Sequence, residues 1–107
     1  MQMKLDEVGL KQQILGEQAA TIGQLSGDLR ATLDALASHD LRVKSGKTLA
    51  RDRRPGQRAR LVNAAAYALW NFVVQRDCAG FRFTERALEE FAVPAEVRLK
   101  MGTVRSR

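Results

Sequence analysis

The residues with the clearest chemistry are a group of arginines in the stretch TLARDRRPGQRAR, which runs from Thr48 to Arg60. This stretch holds five arginines and a single acid. A cluster of that kind can neutralise several phosphates, so its composition favours contact with an anionic partner. The candidate contacts are Arg51, Arg53, Arg54, Arg58 and Arg60.

The net charge of +6 is concentrated around this stretch. Residues 42–60 carry eight basic residues and one acid, whereas residues 1–41 have a net charge of −3 and residues 61–107 a net charge of +2. Three interpretations stay open: a solvated linker, non-specific attraction to nucleic acid, and binding of an acidic protein. Recognition of DNA sequence is disfavoured, because the segment has no aromatic residue and the helix TERALEEF carries three glutamates.

Residues suited to catalysis or metal binding are scarce. One histidine and one cysteine cannot form a zinc site of the usual Cys/His composition within one chain. We expect His39 to be exposed at the end of the first helix, and Cys78 lies at a helix C-terminus, which does not stabilise a thiolate. Asp28, Asp34 and Asp40 are spaced six apart and do not converge. The sequence therefore predicts no catalytic residue, metal, cofactor or small-molecule ligand, and a protein that is not an enzyme.

The first predicted helix, from Leu5 to about Leu41, has apolar residues at seven-residue intervals. The companion column contains small and polar residues, so it forms only a weak second seam. The pattern is compatible with a core face of a helical bundle and with a dimer seam, and the two are not exclusive. The candidate self-association face consists of Val8, Leu15, Ile22, Leu29 and Leu36.

The same helix carries a strip of small residues spaced four or three apart. Glycine inside a helix costs about 1 kcal/mol relative to alanine, so we expect compensation by close packing or a break near Gly23 or Gly27. The expected packing partners are large side chains of the second helix, such as Tyr67, Trp70 and Phe72. The strip consists of Gly16, Ala20, Gly23, Gly27 and Ala31.

The remaining pattern completes an all-α fold in a single domain, residues 1–107. A second helix, Gln57 to Ala79, is apolar on most sides and is predicted to be central, with Gly80 ending it. Two short helices follow, one beginning at Thr84 and one from Pro94 to Met101, which Gly102 ends. The two long helices are antiparallel, and the short ones pack on them. Residues 42–57 form a basic flexible loop and residues 103–107 a frayed tail.

The sequence also predicts the cellular location of the protein. The single cysteine and the absence of a basic start followed by an apolar run indicate a cytoplasmic protein. The longest apolar run is far shorter than the ~20 residues that span a bilayer, so no membrane association is expected.

Several segments resemble a family of small, uncharacterised, all-helical bacterial proteins, a domain of unknown function. The likeness lies in ALWNFVVQRDCAGF and VPAEVRLKMG, and more loosely in GEQAATIGQLSGDLRATLDALASHD. In this chain Ala79 separates the cysteine from the glycine that follows it directly in the family. The resemblance implies a helical fold and transfers no activity, cofactor or site residue.

These observations predict a non-enzymatic cytoplasmic interaction or structural protein that self-associates as a homodimer through the first helix. The alternative is a non-specific nucleic-acid-binding protein that uses the arginine-rich loop.

Overall fold

The chain folds into four α-helices and one short 3₁₀ helix, and the computed structural model describes residues 2–80 and 84–105. Side chains are described for residues 9, 10, 12–80 and 85–103. The described residues include no strand, and the predicted all-α fold is confirmed. The elements are α1 (Gln2–Ser45), the 3₁₀ helix (Ala50–Arg53), α2 (Gln57–Cys78), α3 (Thr84–Glu90) and α4 (Ala95–Arg105).

The hydrophobic core lies between the C-terminal half of α1 and the other three α-helices. The helix α2 is central, as expected, because it contacts both α1 and α4. Its small residues, such as Ala65 and Ala66, are fully buried and let the helices approach closely, while Trp70 is half-buried. The buried apolar side chains are Leu29, Leu33, Leu36, Val62, Ala65, Ala66, Ala68, Leu69, Phe72, Ala87, Leu88, Val93 and Val97.

Aromatic contacts attach α3 to the two long helices. The ring of Phe91, just after α3, meets the ring of Phe72 edge to face at a centroid distance of 5.3 Å. The guanidinium of Arg30 on α1 lies 4.7 Å from the centre of the Phe91 ring. Such aromatic and cation–π contacts favour one orientation of the short helix as well as burying its apolar surface.

The helix α1 ends at Ser45, four residues beyond the predicted end at Leu41. Gly46 adopts a left-handed φ of 74°. Its N–H donates to the carbonyl of Val43, and the N–H of Lys47 donates to the carbonyl of Arg42. These two bonds form the Schellman motif that ends many helices at a glycine. Residues 42–45, predicted as part of a flexible loop, are therefore helical.

The helix α4 runs through Gly102 to Arg105, so the prediction that Gly102 ends it is wrong. One glycine weakens a helix by about 1 kcal/mol but keeps its N–H donor, so the helix can continue. Thr103 bonds the carbonyl of Lys100 through its Oγ1 at 2.7 Å. Residues 103–105, predicted as frayed, are helical, and residues 106 and 107 lie outside the described residues.

The strip of small residues on α1 is neither packed nor broken, which contradicts both predicted outcomes. The helix is continuous through Gly16, Gly23 and Gly27. A Cβ atom built on any of these glycines would meet nothing within 4 Å. Phe72 of α2 belongs to the same core as the leucines of α1, whereas Tyr67 is 58% exposed and Trp70 is half-buried.

Two leucines of the seven-residue column provide a matched test of this core. Leu29 is fully buried, whereas Leu15, fourteen residues earlier on nearly the same face, is 63% exposed. We expect Leu29→Ala to lower the free energy of unfolding by about 2–5 kcal/mol and Leu15→Ala by less than about 0.5 kcal/mol. Urea denaturation at low protein concentration measures both, and equal losses would contradict the described core.

The open glycines should accept a side chain. We expect Gly27→Ala to raise the free energy of unfolding by about 0.5–1 kcal/mol, because alanine favours the helix and meets no neighbour. The control is Gly80→Ala, which should destabilise the protein because Gly80 has a φ of 88°. A loss of stability in Gly27→Ala would show that a neighbouring group contacts this side of α1.

Candidate functional site

The basic segment is built around a buried acid, Asp52, in the 3₁₀ helix. Arg42 of α1 donates from Nε to Oδ2 at 2.7 Å and from Nη2 to Oδ1 at 2.9 Å. The Nδ1 atom of His39 lies 3.0 Å from Oδ1, and the backbone N–H of Leu49 donates to Oδ2 at 2.8 Å. The Asp52 side chain is only 1% exposed. Two hydrogen bonds from Arg42 and one from His39 therefore fix the 3₁₀ helix to the end of α1.

Electrostatics keep this acid ionised. The bonds from Arg42, then from the Leu49 N–H, and more weakly from His39 hold the pKa of Asp52 far below its ordinary value, against the opposing effect of burial. The carboxylate in turn raises the pKa of Arg42. Since an ionised carboxylate only accepts hydrogen bonds, Nδ1 of His39 carries the proton and donates it.

Placing His39 in this cluster corrects the prediction that it is exposed. It is 4% exposed, because α1 continues past it and the 3₁₀ helix folds against it. A histidine oriented by an aspartate also occurs in hydrolases, where the second ring nitrogen activates a nucleophile. No hydroxyl or thiol among the described residues bonds His39. The pair joins α1 to the 3₁₀ helix.

Arg58 forms a second, exposed ionic cluster that joins three helices. It donates from Nε to Oδ1 of Asp40 on α1 at 2.9 Å, and from Nη1 to Oε2 of Glu96 on α4 at 2.8 Å. These bonds lower the pKa of both carboxyls, and they raise the pKa of Arg58, with Glu96 contributing more than Asp40. Arg58 is thus committed to other helices of its own chain.

The other predicted anion contacts are exposed. Arg51 and Arg53 lie on the 3₁₀ helix, Arg54 follows it, and Arg60 is on α2. Arg53 bonds the hydroxyl of Thr48 at 3.3 Å. The structure therefore brings Arg51, Arg53 and Arg54 together on one ordered turn, and it assigns Arg58 to a structural role.

The predicted self-association face is divided between core and surface. Leu29 and Leu36 are buried within the chain, Ile22 is half-buried, and Leu15 is exposed. The side chain of Val8 lies outside the described residues. Among the described members of this face, Leu15 and part of Ile22 are therefore available to a partner.

An apolar groove of about 440 Å³ begins where α2 ends. Leu15, Ala19 and Ile22 form its α1 side, and Phe72 and Phe91 form the opposite side. Polar groups, including Gln18 and Glu90, lie along its lining. The heptad pattern predicted apolar residues here, but not that the chain would leave them uncovered.

Residues that sequence reasoning missed are His39, Arg42 and Asp52. Arg42 and His39 are three apart, a spacing that places side chains on neighbouring positions of a helix surface. Asp52 is the single acid among the eight bases of residues 42–60. It lies three residues after Leu49 and accepts a hydrogen bond from the Leu49 N–H, as an acid does in a capping box. An isolated acid in a basic segment was the available signal.

The described part of the chain contains neither a candidate metal site nor a membrane-spanning helix. Residues 2–80 and 84–105 contain no group of three or more His, Cys, Asp or Glu side chains that could hold a metal ion. None of the described helices is long and apolar enough to cross a membrane. Cys78 is free and exposed.

Comparison with protein-family models, curated proteins and solved structures found no match to this chain. The resemblance to an uncharacterised helical bacterial family therefore stays a prediction, and functional inference depends on the geometry of the chain itself.

The Asp52 cluster gives a pH dependence with a defined sign. Because the folded-state pKa lies below the ordinary value of about 3.9, the carboxylate stabilises the fold above that pH, and this contribution is lost as the pH falls toward the folded-state pKa. We expect Asp52→Asn to lower Tm at pH 7, and the difference from wild type to shrink below about pH 4.

Thermal unfolding followed by circular dichroism between neutral and strongly acidic pH measures this difference. The control is Asp40→Asn, which removes an exposed ion pair and should lower Tm less, since surface pairs contribute little. An Asp52→Asn protein as stable as wild type at pH 7 would contradict the structural role of the cluster.

Proposed function

We propose that the protein is a non-enzymatic, cytoplasmic interaction protein that self-associates as a homodimer through the N-terminal part of α1. The observation that carries this proposal is the continuation of the core face of α1 beyond the end of α2. The helix α1 has 44 residues and α2 has 22. At about 1.5 Å per residue, α1 is about 33 Å longer.

The exposed residues lie on the same side of α1 as the core. At about 100° per residue, Ile22, Leu15 and Ile14 lie within about 60° of Leu29 around the helix axis. Ile14 is 46% exposed and Leu15 is 63% exposed. An apolar face that is covered at Leu29 and Leu36 and open at Ile14 and Leu15 fits a binding surface better than a solvated one.

A second copy of the chain is the partner that this face fits. In a two-fold dimer the same patch of each subunit meets its counterpart. The apolar face of one copy is then covered by that of the other, and no further protein is needed. Antiparallel crossing of two α1 helices near Ile14 would place the open face of each copy against that of the other. The groove beside Leu15, with Phe72 and Phe91 opposite, would receive apolar side chains from the second copy.

Sedimentation velocity with two matched variants tests this proposal. Leu15 and Gln24 are nine residues apart, so they point to opposite sides of α1, and both are exposed. We expect wild type and Gln24→Lys to be dimeric at tens of micromolar. Leu15→Lys should weaken association at least tenfold, about 1.4 kcal/mol, because it places a charge in the apolar seam.

Circular dichroism should show unchanged helicity in both variants, because neither side chain belongs to the core. A monomeric wild-type protein at tens of micromolar, or equal association of the two variants, would contradict self-association through this face.

A further inference from the structure

The end of the molecule opposite the open face of α1 contains a cleft of about 280 Å³ between α1, the 3₁₀ helix and α2. Its polar lining residues all carry hydrogen-bond donors, and no carboxylate lines it. Ser38 of the cleft and Leu15 of the open face are about 35 Å apart along α1, so the two surfaces are separate. The cleft is lined by Ala35, Ser38, Arg42, Arg51, Gln57 and Leu61.

Two arginines supply the positive charge of the cleft. Arg42 uses Nε and one N–H of Nη2 on Asp52, so its remaining N–H groups are available and already held in place. Asp52 balances the charge of Arg42, and Arg51 supplies the uncompensated positive charge. Arg51 is exposed, and its guanidinium forms no ion pair or hydrogen bond within the described part of the chain. Gln57 adds a side-chain amide at the start of α2.

Within residues 42–60, which supply Arg42, Arg51 and Gln57 to the cleft, the single acid is buried. Between residues 42 and 60, Asp52 is the only acid, and Arg42, His39 and the Leu49 N–H enclose it. The exposed charged side chains of this segment are therefore all basic. Apart from Arg58, the cations of this segment outside the cleft are Lys44, Lys47, Arg53, Arg54 and Arg60.

We propose that this surface binds the phosphate backbone of nucleic acid, with one phosphate held in the cleft by Ser38, Arg42, Arg51 and Gln57. A single free phosphate would occupy the cleft and leave Arg53 and Arg54 of the same turn unused, whereas a chain of phosphates can engage them as well. Residues 42–60 contain no aromatic residue that could stack on bases. The protein therefore contacts the phosphate backbone of the nucleic acid and does not distinguish between base sequences. Arg58 takes no part, because Asp40 and Glu96 hold it.

Fluorescence anisotropy with a labelled duplex DNA tests this proposal in the full-length chain. At about 50 mM salt we expect Arg51→Ala to weaken binding by about tenfold, and to reduce the slope of log K against log salt by about 1. Arg86→Ala is the matched control, because it removes the same charge from an exposed arginine of α3, and it should change affinity less than about twofold. Two duplexes of different sequence should bind equally.

Two further probes separate the possible sources of the anion. Poly-glutamate should bind more weakly than the duplex, and inorganic phosphate should compete with the duplex only at much higher concentration. The proposal is overturned if no duplex binds at low salt, or if Arg51→Ala and Arg86→Ala have equal effects. It is also overturned if poly-glutamate binds as tightly as DNA, or if inorganic phosphate binds and DNA does not. Unchanged thermal unfolding of Arg51→Ala confirms that the variant is folded.

Discussion

The buried carboxylate of Asp52 is the interaction on which the C-terminal end of α1 and the entry to α2 depend. An ionised carboxyl with a side chain 1% exposed is tolerated only when charges and hydrogen bonds compensate its lost hydration. Arg42, His39 and Leu49 provide that compensation from two different elements. The requirement to neutralise one acid therefore decides where the 3₁₀ helix lies, and through it how the chain enters α2.

The same requirement shapes the surface. A segment with eight bases and one acid would, as an unstructured linker, present a mixed and mobile charge. Once Asp52 is enclosed, the acid stabilises the fold from inside while Arg51, Arg53 and Arg54 stay outside on a fixed turn. The order of this turn lowers the conformational entropy that a partner would have to remove on binding.

The sequence was sufficient for the helical architecture but not for the contacts that define the candidate sites. Apolar periodicity predicted α1, α2 and α3, because a helix that buries one face has apolar residues at regular spacing, as at Leu29 and Leu36. The His39–Asp52 contact was harder to predict from the sequence, because thirteen residues and a turn separate the two partners. The glycine strip led to a wrong prediction for a related reason. The spacing shows that another helix could pack closely against the strip, but not that any element does so.

The contrast between the two ionic clusters has a consequence for how the molecule responds to its medium. Arg58, Asp40 and Glu96 are each roughly half exposed, so dissolved ions reach and screen their attraction. The Asp52 carboxylate is enclosed, and small ions have little access to it. Rising ionic strength should therefore loosen the link between α4 and the long helices while the arginine turn keeps its shape. In a concentrated electrolyte the basic end of the protein would keep its form, while the distance over which its charge attracts a partner would shorten.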